Sequence, residues 1–287
     1  MNKRVVITLL LVSSMTVLAG AIIAPSLPGL KASFEPNPGA DLLAKLMLTL
    51  PALFIAITAG LAGWLTDKLG RKPVLITALV LYAIGGTSGL YFSDPYWLLA
   101  GRAVLGLAVG AVLTVATTLA GDYFEGENRG KFLSWQAAFM AFGGTAFLSL
   151  GGLLGTYSWR APFAMYFASL LLLPLVFLLK PPTLSYKKAI PGADTAAVNI
   201  PYGPILLVYA VGLLGHIVFY ILPVQIPFLL EHNHGIGPQG VGLSLAAVTG
   251  MAGFASFYFH RMRGKRSHQQ MALISFGIMG IGFLGIA

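Results

Sequence analysis

Residues 63–75 read GWLTDKLGRKPVL, and within them Asp67, Lys68, Arg71 and Lys72 gather four charges in a chain that is only 9% charged. Apolar runs flank the stretch at 42–65 and 74–92, each close to the roughly 20 residues a helix needs to cross a hydrocarbon core. A charged corner between two such runs reads as the junction of two membrane helices. Further runs cover 5–24, 96–120, 132–154, 161–179, 205–230, 241–259 and 271–287, which makes nine predicted spans. Composition agrees, with 57% apolar residues and a mean hydropathy of +0.82, where soluble chains are about 25% charged. The runs are continuous rather than alternating, and lipid offers no partner to unpaired backbone, so helices fit and a barrel does not. The expected fold class is all-α, a polytopic membrane helical bundle.

The chain has no cysteine, which excludes disulfides, thiol catalysis and cysteine metal sites. Its net charge of +9 is distributed unevenly. Lys3, Arg4, the Lys68/Arg71/Lys72 group, Arg129, Lys131, Lys180, Lys187, Lys188, Arg261, Arg263, Lys265 and Arg266 fall on one side, fourteen of the 18 basic residues. Lys31, Lys45 and Arg160 fall on the other, and Arg102 lies inside a span. The positive-inside rule then puts the N-terminus and the 63–73 corner in the cytoplasm, and makes membrane phospholipid, not nucleic acid, the anionic partner. The start, with Lys3, Arg4, an apolar run and small Ala19, Gly20 and Ala21, also has the parts of a signal peptide. The run continues through Ile22, Ile23 and Ala24, and the charge count needs it as a span, so a retained first span is the preferred reading.

In the charged corner, Gly63 has no side chain to hold a neighbouring helix away, and Gly70 permits a positive-φ reversal. Pro73 suits the first turn of the next helix. Asp67 can accept from the free N–H groups of an abutting helix or pair with Arg71. Together they make a charged latch. The segment 26–41, with Pro28, Pro36 and Pro38, reads as an outer loop, and 181–204 reads as a linker between a six-helix half, 1–180, and a partial second half, 205–287. Sliding the chain by 194 residues lays Gly264, Lys265 and Arg266 on Gly70, Arg71 and Lys72, with Arg261 in the place of Asp67 and Phe257 in that of Gly63. On this offset Ala287 falls at the end of a third span, so the chain is expected to stop three helices into its second half.

The stretch resembles the major facilitator superfamily signature G-x-L-x-D-[RK]-x-G-R-[RK], through Gly63, Leu65, Asp67, Lys68, Gly70, Arg71 and Lys72. The resemblance implies two six-helix halves and alternating access, with the latch steadying the outward-open state. In the family the acid of this motif meets an eleventh helix, which this sequence lacks, while its arginine approaches an acid at the end of span four, here Asp122. Arg102 and Gly106 resemble the family's span-four motif, although Leu105 replaces a frequent polar residue. In span five Gly143, Gly151 and Gly152 fit the antiporter pattern, but Phe147 and Leu148 stand in its Gly-Pro places, and close helix packing explains the glycines equally well. The chain is most similar to bacterial efflux permeases, which implies a monomer in the inner membrane that exports a drug or metabolite at the expense of a proton gradient, with no bound cofactor. An uptake permease for a sugar or organic anion, which Arg102 would suit, is the alternative. A membrane enzyme or receptor is the remote one, since no catalytic constellation is evident.

All nine acids stand in loops or at span ends, so the titratable coupling candidates are His216 in span seven, Asp41 at the outer end of span two, or an acid in the helices expected beyond the third of the second half, with Arg102 as the charged candidate within a span. Gln136 in span five and Tyr220 and Gln225 in span seven are candidate cavity contacts, the latter two beside the helix breakers Gly212, Gly215, Pro223 and Pro227. The run EHNH at 231–234 reads as a wet outer loop rather than a metal site, and SWRAPF at 158–163 as an interfacial entry into span six, anchored by Trp159.

Overall fold

The computed structural model describes residues 2–179, 202–262, 270, 273–274 and 276–278. Six helical stretches among them are long and apolar enough to cross a membrane, and Ala161–Phe177 is a shorter apolar one. Most of the linker, residues 181–201, the second charged corner at 264–266 and most of the ninth predicted span lie outside the described residues.

The first span is longer than its apolar run. Helix α1, Lys3–Ala21, passes through a 3-10 turn at Ala24–Ser26 into α2, Leu27–Phe34, where a loop is expected from the prolines. Pro25 and Pro28 sit in first turns, where a missing N–H costs nothing. Leu27, Leu30 and Phe34 are buried on one face of α2 and hold it against the bundle. Leu9, Val12 and Leu18 of α1 are wholly buried against the bundle.

Helices α3, Ala40–Leu69, and α4, Arg71–Gly86, are separated by Gly70 alone. The expected cytoplasmic loop is thus a helix corner, with Asp67 and Lys68 in the last turn of α3. Short α5, Ser88–Tyr91, leads to α6, Pro95–Tyr123, which is capped by Asp94 accepting from the N–H groups of Tyr96 and Trp97 at 2.9 and 3.2 Å. The loop expected around Asp122 is also short, Phe124 and Glu125, because α6 ends at Tyr123 and α7 already spans Gly126–Tyr157.

Span six is the irregular one. In place of a continuous helix over 161–179 it is a 3-10 segment, Ala161–Phe167, followed by α8, Ala168–Leu171, and α9, Leu173–Phe177. Pro162 and Pro174 each stand at the start of a piece, where the absent N–H and the ring disfavour continuing the preceding helix. Beyond the linker, α10, Tyr202–His234, is unbroken despite Pro223 and Pro227 inside it, which corrects the expectation of a broken span seven. The EHNH run is its last turn rather than a loop. Helix α11, Pro238–Met262, completes the described bundle.

The core runs along α1, α4 and α6. A Cβ at Gly106 of α6 would come within 2.6 Å of the Pro51 carbonyl oxygen, so α3 and α6 touch backbone to backbone there. Gly152 and Gly242 do the same for α7 and α11, where a Cβ at Gly152 would lie 2.7 Å from the Pro238 carbonyl. Such small-residue contacts are how membrane helices approach closely without a hydrophobic driving force between them.

Candidate functional site

The corner at Gly70 is built for its turn. Gly70 has φ of 89° and ψ of 157°, a conformation that a side chain would strain. Gly63, by contrast, faces open space: a Cβ added there would meet nothing within 4 Å, so it does not admit a neighbouring helix among the described residues. Arg71 and Lys72 begin α4, where the helix dipole disfavours positive charge, and each finds compensation elsewhere. Arg71 donates from Nε to Asp122 Oδ2 at 3.1 Å, while its Nη1 lies 3.9 Å from Asp67 Oδ1. Asp122 is largely buried and Asp67 is 78% exposed, so the close partner of Arg71 is the acid at the end of α6. Lys72 donates to the carbonyls of Phe177 and Leu179, at 2.5 and 3.2 Å, and so caps the end of span six just before the linker. Lys68 stacks over Trp64 at 4.0 Å. The corner therefore ties α3, α4, α6 and α9 together.

Arg102 is wholly buried. Its Nη1 donates to the Tyr166 hydroxyl at 2.8 Å, and that hydroxyl donates to the Ala19 carbonyl, also at 2.8 Å. The guanidinium carbon lies 4.6 Å from the Phe163 ring centre and 5.0 Å from that of Tyr166. Its Nε and Nη2 have no hydrogen-bond partner among the described residues, and no carboxylate there pairs with it. Aromatic faces supply its electrostatic support. Tyr82 of α4 makes a parallel bond, donating to the Met15 carbonyl at 2.7 Å, so two tyrosines hold α1 at carbonyls four residues apart.

Between α1, α3, α7, α10 and α11 lies a cavity of about 230 Å³, whose walls include Leu48, Ile55, Leu148, Phe219, Tyr220 and Pro223. Of the cavity contacts expected from sequence, only Tyr220 lines it. His216 stacks on Tyr220 with ring centres 6.5 Å apart, but is exposed on another part of α10, as is Gln225. Gln136 donates to Ser13 Oγ at 2.7 Å and is buried as a strut between α7 and α1. Among the described residues, α10 meets the first helices through its C-terminal half, and Leu206, Tyr209 and Leu213 in its other half, towards the Gly70 end, are exposed.

The two groups of helices meet at the opposite end. Asp41 pairs with Lys45 at 2.6 Å and with Lys31 at 3.6 Å, and both ammonium groups lie over the ring of Phe228 in α10, at 5.4 and 5.9 Å. In sequence these lysines read only as topology signals. Tyr166 and Phe228 were not foreseen at all: an aromatic residue in an apolar span gives no local sign of its partner.

A family model described as the Major Facilitator Superfamily matches residues 9–287. Among curated proteins, the class G tetracycline resistance protein of Vibrio anguillarum is 30% identical over 300 residues, covering 100% of this chain and 75% of that protein. The niacin transporter NiaP of Acinetobacter baylyi is 35% identical over 89 residues, 31% of this chain and 20% of that one. The chain thus spans between a fifth and three quarters of the length of these relatives. Among solved structures, a bacterial homologue of the human lysosomal transporter Spinster, inward-facing and unoccupied, superposes with a TM-score of 0.75 at 17% identity, over 93% of this chain and 64% of that one.

Proposed function

That the chain belongs to the Major Facilitator Superfamily is the premise from which we propose that it exports a small molecule by alternating access, driven by protons. The observation that carries this reading is the cavity between two groups of helices that meet at the Asp41 end, with the half of α10 nearer the Gly70 end left exposed. With the basic corner in the cytoplasm, that conformation is inward-open, ready to load substrate from inside. Residues 1–180 and 205–287 belong to the two rocking halves, joined by the linker 181–204, in a monomer held in the inner membrane with its N-terminus cytoplasmic. The Arg71–Asp122 bridge and the Asp67 carboxylate form the inner latch, and Arg102 is the coupling candidate within the membrane. The tetracycline resistance relative supports export. The niacin transporter relative supports the uptake alternative, over a shorter match.

The test is accumulation of tetracycline and of a fluorescent dye in efflux-deficient cells expressing the full-length protein. Lowered accumulation that an uncoupler restores, and that Arg102→Ala abolishes without loss of membrane insertion, is the expected result. Raised accumulation favours uptake, and full export by Arg102→Ala removes Arg102 from the mechanism.

A further inference from the structure

The cavity also says what kind of molecule it takes. We propose that its ligand is an uncharged, mostly aromatic small molecule carrying a group that hydrogen-bonds Tyr220; the inference rests on the transport reading for its physiological meaning. Among the described residues that line it, none is an acid, a histidine, a lysine or an arginine. Its walls are set by aliphatic and aromatic surface such as Ile55, Leu148 and Phe219. Two of the three lining hydroxyls are spent on their own helices, since Thr16 donates to the Ser13 carbonyl at 2.7 Å and Thr249 to that of Leu245 at 2.9 Å. The third, Tyr220, makes no hydrogen bond among the described residues and so is the hydroxyl available to a ligand.

Arg102 does not alter this balance. It is wholly buried, does not line the cavity, and bonds a hydroxyl that is itself committed to the carbonyl of Ala19, a lining residue. A ligand carboxylate or ammonium entering here would lose its hydration and meet no opposite charge, whereas an aromatic ring loses nothing it needs. The organic anion that Arg102 suits in the sequence is therefore disfavoured by where the fold puts that arginine.

Three probes of one shape and different charge test this: naphthol, naphthoate and naphthylmethylammonium. Binding to the purified full-length protein is followed by probe fluorescence anisotropy, and Ala52→Trp, which fills the cavity from its wall, defines the specific component. Naphthol is expected to bind at least about tenfold more tightly than either ion. Tyr220→Phe should weaken naphthol roughly fivefold and leave methylnaphthalene unchanged, the loss of one hydrogen bond. Equal or tighter binding of naphthoate or the ammonium overturns the proposal, as does naphthol binding that Ala52→Trp leaves intact or no specific naphthol binding at all. Specific naphthol binding without flux of any probe supports the proposal and overturns the transport reading instead.

Discussion

One hydroxyl at Tyr166 serves two partners, accepting from Arg102 and donating to Ala19, and both bonds are buried. Tyr166→Phe keeps the ring against the guanidinium but leaves Nη1 of a buried cation without an acceptor. Hydrogen bonds to charged groups contribute about 1.5–3 kcal/mol, so this variant should unfold in detergent at a lower temperature by an amount corresponding to roughly 2 kcal/mol. Tyr82→Phe, which removes one neutral bond to Met15 and leaves Arg102 alone, should lose about 1 kcal/mol. Equal losses in thermal unfolding scans of the two variants would show that Arg102 does not depend on Tyr166. Gln136 makes the complementary point: a polar residue in a span reads as a cavity contact, yet its partner is Ser13 on the neighbouring helix.

At the scale of the helix, one contact sensitive to side-chain size is that of α7 with α11. Gly152 lies against the Pro238 carbonyl and the Gly242 backbone, with no flexible side chain there to give way. Gly152→Leu should force α7 and α11 apart and abolish transport with the protein still inserted, whereas Gly203→Leu, at a site with nothing within 4 Å, should be silent. Dye export with insertion checked by protease protection reads both, and normal export by Gly152→Leu would show that the two helices need not stay in contact. The sequence carried these elements unevenly. Spans were legible because about 20 apolar residues have no other stable form in lipid, and the corner at Gly70 because turn, charge and spacing coincide there. Helix ends were misplaced outward and inward alike: α3 continues through the charged Asp67 and Lys68, and α2 forms where three prolines pointed to a loop. Charge and proline mark a membrane face only approximately, since helices run on past the hydrocarbon. The candidate site was less legible still, because Arg102, Tyr166 and Ala19 meet only through the packing of three separate spans.

Across the whole molecule, the feature that selects this conformation is the contact between the Asp41 end of the first helices and Phe228 of α10. Asp41 holds Lys31 and Lys45 side by side, which brings two cations over one ring despite their mutual repulsion. Each partly exposed cation–π contact contributes about 0.5–1 kcal/mol, so together they favour the closed end by roughly tenfold. That is the scale on which an alternating transporter must balance its states, because a much stronger closure would trap it. The absence of native cysteine allows a direct measurement. With one cysteine introduced at Ala52 in the cavity wall, a membrane-impermeant maleimide added from the Asp41 side should react slowly in the otherwise unaltered chain. Phe228→Ala should speed labelling on the order of tenfold, and Asp41→Asn, which frees the lysines to separate, should speed it less. Maleimide added from the Gly70 side should react more slowly in Phe228→Ala, because a population shifted towards one opening is withdrawn from the other. If labelling from both sides is unchanged, the lysine–phenylalanine contact is incidental to closure, and the two groups of helices are held together at that end by their other packing, of α7 on α11 and of α10 and α11 on the turn at Ala24–Ser26.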